Sequence, residues 1–271
     1  MVRQTLSVII ITLNEERNLR RCLESVRFAD EIVVVDAGST DATRDIACEF
    51  GAKVYHHTMG GFGAQKQFAL EQATGDWILS LDADEWVPDA LKGALMTFLQ
   101  SPAASDGYDG YGIYRQNVYL GQSIRYCGWY RPLLLLFRRG KGRFNEKLVH
   151  ESVILDSPVG LLPGNILHVP YRDLFHHVEK ISRYARLDAE EICKRGRKVY
   201  GWQAPIHLLL RPLWKFGEKY IWQQGFREGI HGMILSGMAA FGVFLIHAQG
   251  WLLQRESAKR EGPKSVRGSP E

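Results

Sequence analysis

Asp82-Ala83-Asp84-Glu85 sets three carboxylates within four positions, directly after the apolar run Ile78-Leu79-Ser80-Leu81. Like charges that close repel one another unless something positive lies among them. Alternate residues leaving a strand can aim two carboxylates at one point, where a hard divalent cation accepts oxygen donors. Mg2+ or Mn2+ keeps several waters and commonly bridges one or two carboxylates to ligand phosphates. The same spacing also suits a solvated acidic turn ahead of a helix starting near Pro88, so the motif alone leaves both readings open.

Other groups widen the chemistry. Thr12-Leu13-Asn14-Glu15 and Asp36-Ala37-Gly38-Ser39-Thr40-Asp41 each follow an apolar run. Asp36, before a Gly-Ser-Thr turn, is placed to accept a hydrogen bond from a base or ribose, or to cap a helix. Gly60-Gly61-Phe62-Gly63 permits close backbone approach, and Lys66 just beyond it offers charge to a phosphate or carbonyl. Further on, His150 can complete a metal shell through a ring nitrogen, as borderline ions allow. Glu151, with Glu146 in reserve, can take the proton of an attacking hydroxyl. On an extended segment His150 and Glu151 point to opposite faces, so both act only if the chain bends there; a strand-edge His and a surface Glu is the plainer alternative. Arg138, Arg139, Lys141 and Arg143 suit either a diphosphate or a solvated hairpin turn.

These groups need a frame that brings them together. Leu6–Ile11, Ile32–Val35 and Trp77–Leu81 are near-continuous apolar runs rich in Val and Ile, the pattern of strands buried on both faces of a parallel sheet, and Ala52–Tyr55 adds a fourth. Helical patterns fall between them at roughly 15–27, 41–50 and 63–73, with another near 88–100. Alternation of this kind predicts a doubly wound α/β layer, whose ligands bind beyond the carboxyl ends of the strands. The polar clusters stand at those ends. Antiparallel strands are expected over 111–120, 133–137 and 148–155, with a junction at 168–172 and helices beyond.

Taken in order, Thr12-Leu13-Asn14-Glu15, Asp36 to Thr43, Gly63-Ala64-Gln65-Lys66-Gln67 and Gly75-Asp76-Trp77 with Asp82-Ala83-Asp84-Glu85 resemble the successive motifs of glycosyltransferase family 2 over about the first 155 residues. The resemblance implies a GT-A fold, a doubly wound mixed sheet with a Rossmann-like nucleotide-binding half, and an inverting, nucleotide-sugar-dependent activity. It also implies roles: Asp36 on the uridine base, Thr12, Asn14, Glu15, Gly38 and Ser39 around the nucleoside, and Lys66 near base or phosphate. Asp82 and Ala83 would face the ribose or donor sugar, and Asp84 the metal. Gln67 stands where the family usually has Asn, so that residue's turn-holding role does not carry over. Within the family, the Gly-Phe-Gly-x-Gln-Lys run, Val149-His150-Glu151 and the basic C-terminal helices are most similar to lipopolysaccharide core β-glucosyltransferases. The implied partners are a UDP-sugar, probed first as UDP-glucose, and a lipid-linked glycan acceptor; a polyprenyl-phosphate carrier is the rival acceptor.

Composition fits such an assignment. At 45% hydrophobic residues the chain can bury a sizeable core, and its four scattered cysteines form no C-x-x-C pair, which favours a reducing compartment. Residues 1–166 hold 17 Lys/Arg against 20 Asp/Glu, whereas 167–271 hold 17 against 10, so the net charge of +4 belongs to the C-terminal part. There, amphipathic helices interleave Trp202, Leu208–Leu210, Trp214 and Trp222 with Arg211, Lys215, Lys219 and Arg227, as expected of helices on an anionic membrane surface. No recognition motif points to nucleic acid, and no sequence feature marks an oligomeric state. Residues 229–254 lack Asp, Glu, Lys and Arg; their five glycines favour a helix at the interface over a crossing one.

The expected organisation is a catalytic domain over 1–170, a membrane-associated helical region over 171–254, and a disordered tail over 255–271. The expected location is the cytoplasmic face of the inner membrane, peripheral or monotopic. Two competitors come from other classes. An aspartyl-phosphate phosphohydrolase also carries D-x-D, but normally on its first strand, which here ends in Thr-Leu-Asn-Glu. A decayed, non-catalytic membrane-binding protein is the other, and intact carboxylates at three strand ends argue against it.

Overall fold

A computed structural model describes residues 3–58, 60–100, 107–145, 152–194 and 201–260. The chain forms two compact units, Met1–Arg172 and Asp173–Glu271.

In the first unit, strands β1 (Leu6–Thr12), β2 (Glu31–Asp36), β3 (Lys53–His56) and β4 (Trp77–Asp82) run parallel in the order β3-β2-β1-β4. Helices α1 (Glu16–Ser25), α2 (Thr43–Glu49) and α3 (Phe62–Gln72) connect them. Register then does what the sequence pattern predicted: Thr12 lies opposite Asp36, and Ile11 opposite Asp82, so the polar strand ends share one edge. The strands bury both faces. Leu6, Val8 and Ile10 pack with Leu19, Leu23 and Ile46 of α1 and α2, and with Leu91 and Leu95 of α4 (Asp89–Gln100); Ile9, Val33, Val35 and Ile78 pack with Ala69 and Leu70 of α3 on the other side. Each such aliphatic side chain removed from water contributes roughly 1.5–3 kcal/mol.

The sheet continues as mixed. A two-residue strand, β5 (Glu85–Trp86), follows the acidic turn. Beyond it come β6 (Gly110–Tyr119), β7 (Gln122–Ile124), β8 (Arg131–Arg138), β9 (Gly142–Phe144), β10 (Val153–Leu155) and β11 (Val159–His168). β8 joins β4 antiparallel, β6 joins β8 antiparallel, β11 joins β6 parallel, and β5 closes the edge on β11. β9 and β10 make a separate antiparallel pair.

β11 departs from the sequence expectation, which placed no strand there. Pro158, Gly160, Pro163 and Gly164 mask it. The structure resolves the conflict with a register shift between Leu161 and Asn165 that takes Pro163 and Gly164 out of the ladder. Gly164 adopts φ +107°, which strains any side chain, and a Cβ there would crowd Leu91 at 3.1 Å as well.

Glu31 is the main electrostatic brace at the opposite sheet edge. Its carboxylate accepts from Lys53 Nζ at 2.6 Å, from Thr74 N at 2.7 Å and from the Ser7 hydroxyl. Burial pushes its pKa up, but those hydrogen bonds outweigh it and hold the group at about 2, below its ordinary 4.5. Because the folded value is the lower one, Glu31 stabilises fully above about pH 4.5 and progressively less as pH falls toward 2. Glu31→Gln is therefore expected to cost about 2 kcal/mol at pH 7, with the deficit shrinking in urea melts as the buffer is taken below pH 4.5.

The second unit is helical. α5 (Leu174–Lys194) is followed by one helical run over 204–222, in which α6 (Arg211–Gly217) is flanked by π-turns at Ile206–Leu210 and Glu218–Trp222. A short turn leads into α7 (Gly229–Arg260). Gly232 makes the return possible: a Cβ there would come within 1.8 Å of the Gly225 carbonyl oxygen. Helix α7 continues through Arg255-Glu256-Ser257 into the stretch expected to be a disordered tail, because these residues tolerate helix well once α7 has nucleated. Residues 261–271 lie outside the described residues.

Candidate active site

Two helix starts hold the floor of the crevice. Asp41 Oδ2 accepts from the backbone N–H of Glu16 at 3.2 Å, at the start of α1, while Glu16 Oε2 accepts from Ala42 N at 3.1 Å, beside the start of α2. These bonds satisfy helix N–H groups that otherwise lack partners. Asn14, in the left-handed region at φ 56°, donates its backbone N–H to Ser39 Oγ at 2.8 Å and accepts Thr40 N through Oδ1 at 2.9 Å. Glu15 N donates to Thr43 Oγ1 at 2.8 Å.

Asp36 is fully buried beneath this pair of loops. Its Oδ2 accepts from Gly38 N at 3.0 Å and Ser39 N at 2.9 Å; its Oδ1 accepts from the Ser39 hydroxyl and from Thr12 Oγ1 at 3.2 Å. Burial raises its pKa, but these donors outweigh it and leave the group below the usual carboxylate range. The carboxylate thus holds the turn after β2 and caps no helix, since α2 begins only at Thr43, and accepting from a base would mean exchanging the Ser39 hydroxyl.

At the end of β4 the answer to the carboxylate crowding is protein cations. Lys66 Nζ lies 2.7 Å from Asp82 Oδ1, and Arg115 Nη2 lies 3.4 Å from Asp82 Oδ2. Arg115 Nε also meets Glu85 Oε1 at 2.6 Å, and Asp82 N donates to Glu85 Oε2 at 2.9 Å. Burial would raise the pKa of Asp82, but Lys66 and Arg115 hold it below the usual range. Glu85 goes the other way: burial lifts it, Asp82's charge adds to that, and Arg115 offsets only part. Beneath the turn, Cys22 Sγ lies 3.7 Å from the Asp82 carbonyl oxygen, and burial, helped by the nearby carboxylates, pushes its thiol well up, leaving it protonated and unreactive. The methyl of Ala83 is buried in the core.

Lys66 is itself positioned. Gln65 Nε2 donates to the His57 carbonyl at 2.7 Å, tying α3 to the chain after β3, and Gln67 Oε1 accepts from Phe144 N at 3.0 Å, tying α3 to β9. Gln67 therefore holds a strand where the family's Asn would hold a turn.

Asp84 faces a histidine that sequence reasoning did not select. His168 Nε2, at the end of β11, lies 3.4 Å from Asp84 Oδ1. A chain of donors defines the ring's tautomer. The Trp129 carbonyl can only accept, so Asn117 donates Nδ2 to it at 2.7 Å; Asn117 Oδ1 then faces His168 Nδ1 at 2.6 Å, which must carry a proton. In the neutral ring Nε2 is left with its lone pair toward Asp84. Two facing lone-pair donors at that distance suit a shared cation, and an amide fixing the far ring nitrogen is the usual support of a metal-binding His. Among the described residues no three His, Cys, Asp or Glu converge on one point. A cation here would thus keep open positions for phosphate and water.

His150, proposed from sequence as the metal-binding ring, lies with Glu146 and Glu151 outside the described residues. The ends of their segment are described: Asn145 N donates to the Ser152 carbonyl at 3.1 Å, and Phe144 pairs with Val153. Arg115 was missed because it sits on a strand that sequence treats as scaffold, and His168 because it closes a strand that the sequence did not reveal. A charged residue inside the Gly110–Tyr119 strand, and a His closing an apolar alternation before Val169-Pro170, were the available signals.

Acidic and basic groups gathered at one end of a mixed α/β sheet fit a nucleotide-sugar-dependent glycosyltransferase of GT-A fold, and the family match makes that assignment. The chain belongs to the family described as Glycosyl transferase family 2, which residues 7–152 match. It is similar to the lipopolysaccharide core biosynthesis glycosyltransferase LpsC of Rhizobium meliloti (strain 1021), 32% identical over 90% of this chain and 93% of that protein. An uncharacterized glycosyltransferase of Rickettsia typhi, RT0209, is 30% identical over 89% of this chain and 84% of its own. Among solved structures, S. aureus TarS 1–349 in complex with UDP-GlcNAc aligns over 93% of this chain and 92% of its own, at 17% identity and a TM-score of 0.48. Family membership sets aside the aspartyl-phosphate alternative.

Proposed function

We propose that this enzyme moves a hexose from a UDP-sugar to a lipid-linked glycan of the lipopolysaccharide core, with inversion, at the cytoplasmic face of the inner membrane. The observation that carries the reading is Asp84 Oδ1 standing 3.4 Å from His168 Nε2 beside the Lys66–Asp82–Arg115 cluster. Similarity to LpsC along nearly its whole length supports the class of acceptor.

Asp84 and His168 would hold the divalent cation, Mn2+ or Mg2+. Bound there, the ion supplies Lewis-acid stabilisation of the leaving diphosphate. The chain's own residues do the rest. The joined loops at Asn14 and Ser39 line the nucleoside, with Asp36 and Thr12 beneath them. Lys66 and Arg115 place positive charge beside Asp82, where the donor sugar and its departing charge would lie. The acceptor hydroxyl needs a base, and Glu151, with Glu146 in reserve, is the carboxylate assigned to it. The segment bearing both begins next to Phe144, which Gln67 ties to the helix carrying Lys66.

The test is UDP release from UDP-glucose, other UDP-hexoses and GDP-sugars, with and without Mn2+ and a core-glycolipid acceptor. Release that requires the acceptor, favours a UDP-hexose and rises with Mn2+ is the expected outcome. Turnover of GDP-sugars alone would overturn the donor assignment, and equal release without acceptor would overturn the transfer reading.

A further inference from the structure

The helical unit carries an apolar surface that none of that unit's own described residues covers. Leu209, Leu210, Leu213, Trp214, Ile221 and Trp222 are each between 59% and 67% exposed. Their spacing follows one stripe of the 204–222 helical run. Across the turn, Ile230 and Met233 continue the surface onto α7 at 70% and 52% exposure. Monomeric soluble proteins rarely show so many large apolar side chains side by side. Lys215, paired with Glu218 at 2.9 Å, and Lys219, which donates to Gln223 at 2.9 Å, flank the stripe, with Arg227 at the turn, in a half of the sequence where basic residues outnumber acidic ones 17 to 10.

From this we infer that the surface is a monotopic dock for one leaflet of an anionic bilayer, and that α7 does not cross it. It rests on the lipid-linked acceptor reading for the identity of the membrane. The apolar stripe enters the headgroup–acyl boundary while the lysines and Arg227 meet lipid phosphates. By length and apolarity α7 qualifies as a spanning helix: the stretch Gly225–Ser257 reaches a mean hydropathy of 1.8. Its neighbours exclude that. α5 runs alongside the second half of α7, with Ile181 against Gly242 and Cys193 Sγ 3.6 Å from the Gly250 carbonyl. α5 brings Arg186 and Glu190, paired at 3.6 Å with side chains 73% and 40% exposed, to that level of the helix. On the other side Arg211 Nη1 lies 3.3 Å from His247 Nε2, near the middle of α7. A bilayer drawn around all of α7 would immerse these charges, which hydrocarbon strongly disfavours. The tip of the hairpin and its outer stripe remain as the part that lipid can take.

Full-length protein is mixed with vesicles of phosphatidylcholine and phosphatidylglycerol, 70:30, and with pure phosphatidylcholine, and flotation is measured. The wild type is expected to float with the anionic vesicles, less so at high salt, and Trp214→Ser/Trp222→Ser to lose about tenfold in partition. Both tryptophans are exposed, so the variant keeps its fold, checked by circular dichroism. Topology is read in inverted inner-membrane vesicles with a membrane-impermeant maleimide on a Ser257→Cys chain, the exposed Cys48 serving as the cytoplasmic-side control. Labelling of both positions without detergent supports a single-leaflet dock; labelling of Cys48 alone overturns it. Wild type that stays in solution, or forms a dimer that the double substitution abolishes, also overturns it, in favour of a soluble surface or a second copy. UDP release on a detergent-solubilised acceptor is followed in parallel: loss of flotation with release intact fails the dock alone, whereas flotation without release fails the functional reading alone.

Discussion

Asp84→Ala yields a folded protein whose UDP release falls by about three orders of magnitude and no longer responds to Mn2+, the scale expected when a transition-state electrostatic contact is lost. The fold survives for a specific reason. His168 keeps its Asn117 bond, and the Val169 N–H keeps the backbone carbonyl of residue 84 at 3.4 Å. His168 loses one neighbour and keeps the other. Thermal melts should therefore stay close to wild type while Mn2+ affinity collapses. Wild-type turnover by a folded Asp84→Ala protein would remove the metal from the mechanism.

Arg115→Met should damage stability as well as activity. Glu85 is 1% exposed, and Arg115 is its charge partner at 2.6 Å. Removing one member of a buried pair leaves the other uncompensated, which typically costs about 3–5 kcal/mol. The pH dependence follows from the sign of the shift. The folded pKa of Glu85 is already raised, and without Arg115 it rises further, so the variant is hurt most at high pH and recovers as pH falls through that value and the carboxyl takes up its proton. Urea melts at pH 5 and pH 8 should diverge from wild type by unequal amounts. Adding Glu85→Gln in the Arg115→Met background should restore much of the loss, since the stranded charge is then gone. Equal destabilisation at both pH values would place the damage in packing instead.

The nucleotide half of the fold was legible because its strands are buried on both faces: Leu6–Ile11 and Trp77–Leu81 fall within β1 and β4 almost to the residue. Their polar ends were equally plain, since in a parallel sheet a sequence pattern at a strand terminus is also a position in space. β11 was not legible, because Pro158 before it and its own Gly160, Pro163 and Gly164 look like a loop until the bulge absorbs Pro163 and Gly164. With it went His168. Arg115 was hidden differently: a lone cation in a strand has no local signature, and only the sheet order β4-β8-β6 brings it to Asp82 and Glu85. The C-terminal charge asymmetry was read directly, but the partnering of α5 with the second half of α7 is a matter of helix contacts that composition does not encode.

The mutual capping of the two loop–helix junctions carries a thermodynamic corollary. Because Asp41 serves the start of α1, Glu16 serves the turn into α2, and Asn14 and Ser39 clasp between them, the two segments are immobilised by folding itself. A nucleoside bound there, as proposed, would meet a seat whose ordering entropy was surrendered long before the encounter, so more of its contact energy would remain for gripping the diphosphate.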